Sequence, residues 1–233
     1  MTETRIKACV FDAYGTLFDV GAAARIAASE PGAETWAPRW PQIAADWRKK
    51  QLEYSWLRAV AGHHCDFWQV TQDGLDWAME AAGLSDASLR ERLLGLYWEL
   101  AAFPEVPEML GALQAQGQRL AILSNGSPGM LEGAVNSAGL KGVFEGLYSV
   151  ESVGVFKPHD RVYDLVGAGL GLEAREVMFV SSNGWDACAG AAYGFRTAWV
   201  NRDGAPMDRL FGKPDHVLRD LSALPGLVAS LNP

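Results

Sequence analysis

Short apolar runs alternate with longer helical stretches along this chain, and the alternation predicts most of its architecture. Residues 6–11 (Ile-Lys-Ala-Cys-Val-Phe), 119–124 (Arg-Leu-Ala-Ile-Leu-Ser), 177–181 (Val-Met-Phe-Val-Ser) and 195–200 (Phe-Arg-Thr-Ala-Trp-Val) are largely apolar and end in polar or Gly-rich turns. Runs of this kind suit strands buried on both faces of a parallel sheet. Helical stretches follow at about 105–117, 128–139, 159–170 and 185–193, with Gly117, Gly139 and Gly194 where C-terminal caps are expected. Together they predict an α/β fold with a doubly wound parallel sheet.

Residues 20–100 have another texture. Trp36, Trp40, Trp47, Trp56, Trp68, Trp77 and Trp98 fall there, with helical spacing and no convincing strand. Ala44, Trp47, Gln51, Tyr54 and Arg58 recur at i, i+3 and i+4 and predict one helix face. The stretch from Pro31 to Pro41, with Gly32 and Pro38 inside it, reads as a loop between helices. We expect a helical cap subdomain over 20–100, inserted after the first strand, and a core made of 1–19 and 101–233. Most of the tryptophans read as core; a lid over a site needs only one or two.

Composition narrows the function classes. At 233 residues and 49% hydrophobic content the chain can bury a substantial core. Its apolar runs are too short to span a bilayer, and the charged residues Glu3, Arg5 and Lys7 leave no visible signal peptide. A net charge of −8 without a basic cluster makes nucleic acid a poor partner. A small anionic substrate must then be drawn in by local cations. The three cysteines, Cys9, Cys65 and Cys188, are scattered without metal-ligand spacing, which predicts a reduced, cytoplasmic protein.

Four segments with chemical content lie just past the predicted strands, where open α/β sheets keep their sites. In Asp12-Ala-Tyr-Gly-Thr16, the Asp12 carboxylate can act as a nucleophile if it is ionised, partly desolvated and in line with a leaving group. Thr16 can fix one of its oxygens, and Tyr14 stands two residues on. In Ser124-Asn-Gly-Ser127, hydroxyls, an amide and free backbone N–H groups make an anion cradle. In Val155-Phe-Lys-Pro-His159, the proline holds Lys157 off the helical region, and a cation beside Asp12 favours the charged carboxylate. In Phe179-Val-Ser-Ser-Asn-Gly-Trp-Asp186, Ser181 and Asn183 can orient a water, and Asp186 can pair with Lys157 or serve as base. Taken singly, a strand-end aspartate or a Ser-Asn-Gly turn is usually structural. Their joint occurrence is what argues for a site.

These motifs resemble the haloacid dehalogenase superfamily, whose phosphatases carry a second acid two residues after the nucleophile and further acids in the last motif. Here Tyr14, Ser182 and Asn183 leave few carboxylates for a hard divalent cation, so neither metal nor cofactor is expected. With Trp47-Arg-Lys-Lys-Gln-Leu-Glu-Tyr-Ser-Trp-Leu-Arg58 and Val-Phe-Lys-Pro-His, nearly the whole chain is similar to the (S)-2-haloacid dehalogenases. That resemblance implies a HAD-like, Rossmann-like core and hydrolysis of 2-haloalkanoates through an aspartyl ester. It assigns halide binding to Arg48 and Asn125, the substrate's anionic group to Ser124, and an apolar wall to Phe67 and Trp185, with Tyr14 lining the site. Tyr163 is expected to hydrogen-bond on the Lys157 side, and Leu57 or Trp56 to help line the pocket. The same resemblance implies a homodimer. A magnesium-dependent phosphatase and a catalytically silent binding protein are the alternatives.

Overall fold

A computed structural model describes residues 4–232. Its six-stranded sheet comprises β1 (Ala8–Phe11), β2 (Arg119–Ser124), β3 (Gly146–Ser149), β4 (Val177–Ser181), β5 (Arg196–Val200) and β6 (His216–Leu218). The order is β3-β2-β1-β4-β5-β6, and every pairing is parallel. β1, β2, β4 and β5 are the four apolar runs read from the sequence. The edge strands β3 and β6 went unpredicted, because Gly-Leu-Tyr-Ser and His-Val-Leu are short, half-exposed and lack a repeating pattern.

This order fixes where a site can form. The chain steps from β1 outward to β2 and β3, then returns to the other side of β1 and continues through β4 to β6. The crevice at that reversal lies at the carboxyl ends of β1 and β4, where ligands of open α/β sheets bind. Register places Phe11 level with Val180 and Ile122. Asp12 therefore emerges at the edge, its N–H donating to Val180 O at 2.9 Å. Gly15, at φ +90°, lets the chain turn at once and bring Thr16 back beneath that carboxylate.

The core helices are α5 (Val106–Ala115), α6 (Pro128–Ser137), α7 (Asp160–Leu170), α8 (Gly184–Tyr193) and α9 (Leu224–Leu231), the last unpredicted. Gly117, Gly139 and Gly194 have φ of +75°, +70° and +112°, as chain reversals after helices require. No helix among the described residues is long and apolar enough to cross a membrane.

The cap comprises α1 (Ala22–Ala28), α2 (Trp40–Ala61), α3 (Phe67–Ala81) and α4 (Ala87–Trp98). The strands of chain that leave and re-enter the core run side by side: Asp19 N–H donates to Ala101 O at 3.0 Å and Phe103 N–H to Leu17 O at 2.9 Å. α3 and α4 begin at aspartates whose carboxylates accept backbone N–H groups, Asp66 from Trp68 and Asp86 from Ser88 and Leu89. α2 buries Ile43, Trp47, Gln51 and Ser55 against α3. A Cβ on Gly74 of α3 would stand 3.2 Å from Gln51 N, so glycine permits this close approach. The expected α2 face is thus rotated: Trp47 and Gln51 are buried, whereas Ala44, Tyr54 and Arg58 are half-exposed.

Candidate active site

Asp12 is gripped at both oxygens. Thr16 Oγ1 and Asn183 Nδ2 donate to Oδ2, each at 3.0 Å. Lys157 Nζ donates to Oδ1 at 3.2 Å and to Asp186 Oδ2 at 2.9 Å, standing between two carboxylates. Tyr163 donates its hydroxyl proton to Asp186 Oδ1 at 2.7 Å. Lys157 and Asp186 are 1% and 0% exposed, which excludes water from screening the pair. Burial alone would push the Lys157 ammonium down, but Asp186 and then Asp12 outweigh it and hold the lysine above its ordinary value. Burial pushes Asp186 up, against the pull of Lys157.

Local structure explains each placement. Asn183 is the N-cap of α8, yet its side chain does not cap the helix. Its amide bridges the site instead: Nδ2 reaches Asp12, and Oδ1 accepts from Arg48 Nη2 at 3.2 Å. Arg48 has only donors and the Asp12 carboxylate only acceptors, so the amide orientation is fixed. Asp186 falls in the first turn of α8, where the helix dipole favours a carboxylate. Asn125 Oδ1 accepts the Lys157 backbone N–H at 2.9 Å, tying the second loop to the third. Ser124 Oγ accepts the Gly126 N–H at 3.0 Å, which shapes the turn after β2.

Above the carboxylate lies a small, nearly closed cavity. Asp12, Ser124, Asn125, Lys157 and Asn183 form its polar floor, and Tyr14, Leu52, Phe67 and Trp185 its apolar wall, with Arg48 between them. Tyr14 leans on Phe67 and stacks on Tyr97, with ring centroids 5.8 Å apart and planes at 9°. Burial raises the Tyr14 phenol well above its ordinary value, reinforced by Tyr97 and Asp12, so it stays neutral. Among the described residues, no cluster of three or more His, Cys, Asp or Glu side chains is arranged to hold a metal ion.

Known proteins are similar to this chain over nearly its full length. The model of the haloacid dehalogenase-like hydrolases matches residues 6–194. The chain is 42% identical to (S)-2-haloacid dehalogenase 1 of Pseudomonas sp. (strain CBS-3), covering 97% of this chain and 98% of that protein. It is 43% identical to the (S)-2-haloacid dehalogenase of Pseudomonas sp. (strain YL), covering 94% and 93%. The chain belongs to the (S)-2-haloacid dehalogenase family. The L-2-haloacid dehalogenase of Xanthobacter autotrophicus, solved with chloropropionic acid covalently bound, superposes with a TM-score of 0.85 at 38% identity, covering 96% and 98%.

Within this dehalogenase fold, most of the residues singled out from the sequence converge on one cavity, and several stand outside it. Thr16 lies beneath the Asp12 carboxylate and Asp186 behind Lys157. Ser181 Oγ accepts the Asn183 N–H at 3.2 Å and shapes the turn rather than facing the cavity. Tyr163, grouped with the substrate contacts, is instead sealed behind Asp186 and does not line the cavity. Leu57 needs a second correction: it is 59% exposed, and Leu52 takes the lining position. Helix phase could have found this, since Leu52 follows Arg48 by one turn and Leu57 does not. Trp56, a further turn along, packs edge-on against Trp185 with centroids 5.4 Å apart, at the cavity's rim. Gln51 and Tyr97 were missed because nothing local marks a glutamine or a tyrosine as part of a site.

Proposed function

We propose that this dehalogenase converts (S)-2-haloalkanoates into (R)-2-hydroxyalkanoates and halide, with Asp12 as the nucleophile. The observation that carries the reading is the set of donors on that carboxylate. Oδ2 takes two hydrogen bonds and has no lone pair left over, whereas Oδ1 takes one. Oδ1 therefore attacks the α-carbon opposite the halogen, breaking the carbon–halogen bond, inverting the centre and forming an ester. Arg48, Asn125 and the wall of Phe67 and Trp185 receive the halide, while Ser124 and nearby backbone N–H groups hold the substrate carboxylate.

In the second step water adds to the Asp12 carboxyl carbon. Charge develops on Oδ2, where Thr16 and Asn183 already donate, and such preorganised donors are a major source of rate. The Cγ–Oδ1 bond then breaks, the proton given up by the water passes to Oδ1, which leaves as the product hydroxyl, and Lys157 stands beside it to stabilise the developing alkoxide. Asp186 does not line the cavity, so it acts by fixing Lys157 together with Tyr163. In this reading the core comprises residues 1–19 and 101–233, and the cap, 20–100, closes the site. The protein works as a cytoplasmic homodimer without metal. The exposed apolar side chains Leu57, Val60, Leu210 and Phe211 support the dimer, and sedimentation at micromolar concentration tests it.

A single turnover in oxygen-18 water with enzyme in excess tests the mechanism. Label in the Asp12 peptide is expected; label only in the product would remove the ester. Halide release from 2-chloropropionate should persist in excess EDTA. Magnesium-dependent phosphate release from a phosphomonoester would instead favour a phosphatase.

A further inference from the structure

Arg48 is held from behind by a residue that touches no reacting atom. Gln51 is fully buried within the cap, and its Oε1 accepts from Arg48 Nη1 at 2.7 Å. Its Nε2 donates to Thr71 Oγ1 at 2.8 Å and to Tyr97 OH at 3.0 Å. Thr71 in turn donates to Phe67 O at 2.8 Å, and the Trp47 indole N–H donates to Thr71 O at 2.8 Å. A guanidinium has no acceptor, so Oε1 must face Arg48, and Nε2 is left to face the two hydroxyls. The amide has one satisfied orientation.

A buried amide costs free energy unless it is fully hydrogen-bonded. Here every bond leads toward the site. Tyr97 carries the stack on Tyr14, Thr71 and Phe67 share a helical turn, and Arg48 Nη2 runs on to Tyr14 O at 3.2 Å and to Asn183. Gln51 is the junction from which the guanidinium is aimed. We propose that Gln51 is the positioning residue for Arg48, and that through Arg48 it controls expulsion of the halide but not hydrolysis of the ester. This rests on the two-step reading above. The first step develops negative charge on the halogen, where the guanidinium is needed. The second develops charge on Asp12 Oδ2, which Gln51 reaches only at a further remove, through Arg48 and Asn183, and where Thr16 donates independently of it.

The test separates the two steps. Gln51→Met keeps the volume and removes the hydrogen bond, while Gln51→Glu keeps the bond and places a carboxylate against Arg48. Single turnovers of 2-chloropropionate with enzyme in excess report chloride release for step one and 2-hydroxy acid appearance for step two. For Gln51→Met we expect chloride release to slow by about 10- to 100-fold, the range for losing one hydrogen bond to a charged group, with ester hydrolysis within about twofold. The inhibition constant for added chloride should rise in parallel. Gln51→Glu should slow chloride release further, because its charge competes with the halide for Arg48, and it secures the test if the Met variant does not fold. Equal slowing of both steps, or chloride release within twofold of the native enzyme in the Glu variant, would overturn the inference. No chloride release from the native enzyme would instead remove the dehalogenase reading itself, and this inference with it.

Discussion

Replacing Lys157 by methionine probes the electrostatic centre of the site most directly. The ammonium stands 3.2 Å from Asp12 and 2.9 Å from Asp186. At an effective dielectric of about 20, each attraction is about 5 kcal/mol, which offsets the several kcal/mol of desolvation carried by each buried ion. Removing the cation leaves two carboxylates facing each other in a dry pocket, and breaking a buried pair in this way costs about 3–5 kcal/mol. The cost should depend on pH. Without Lys157, the carboxylate that Asp186 already holds above 3.8 is raised further. A group whose folded pKa is raised contributes fully below its unfolded value and less as pH rises through its folded one. The variant should therefore lose stability relative to the native chain as pH climbs from about 4 toward the raised value of the buried carboxylate pair, by up to about 1.4 kcal/mol per unit for one proton. Urea denaturation of both proteins across that range measures the difference. Turnover at neutral pH should fall at least about 10²- to 10³-fold. A stability difference that stays constant from pH 5 to 8 would refute the reasoning, since it would mean that the two carboxylates do not share one cation.

Three further outcomes are expected. Gly126→Ala would place a Cβ 2.7 Å from Tyr14 Cε2, so the ring, which lines the cavity, must shift; overpacking of this kind costs about 1–3 kcal/mol, and a KM for 2-chloropropionate equal to the native value would contradict it. Leu52→Ala should lower kcat/KM about tenfold, as the loss of an apolar pocket contact does, whereas Leu57→Ala should leave kcat/KM unchanged; equal effects would place the wrong leucine in the wall. Because Asp186 and Asp12 hold Lys157 above 10.5, the alkaline loss of activity through this lysine should begin only beyond that value, and a pH–rate profile in which Lys157 titrates below 10.5 would show that burial outweighs its partners.

Legibility followed the physics of each element. The central strands were readable because burial on both faces makes them apolar throughout, which β3 and β6 at the edges do not need to be. Asp12, Ser124, Lys157 and Asn183 were readable because the carboxyl end of a buried parallel strand is where an α/β fold exposes polar groups. Asn183 was expected to orient a water, and its bridge between Asp12 and Arg48 emerged only in three dimensions. Ser181 was expected to orient a water and instead shapes a turn, because residue type says what a side chain can do, not which way it points. Leu57 was misplaced by choosing a residue type within a helix without following that helix's phase from Arg48.

By itself the sequence determined the four central strands, the inserted helical layer and the carboxylate at the end of β1, since periodicity and the residues after a strand are local properties. It also determined that Tyr14, and not a second acid, stands beside that carboxylate. Only the tertiary structure decided that Lys157 is shared by two carboxylates, that Oδ1 and Oδ2 of Asp12 differ in their free lone pairs, and that Gln51 anchors Arg48. Each of these depends on atoms from chain segments far apart in sequence meeting within about 3 Å, where a hydrogen bond forms or fails on displacements smaller than any sequence pattern can encode.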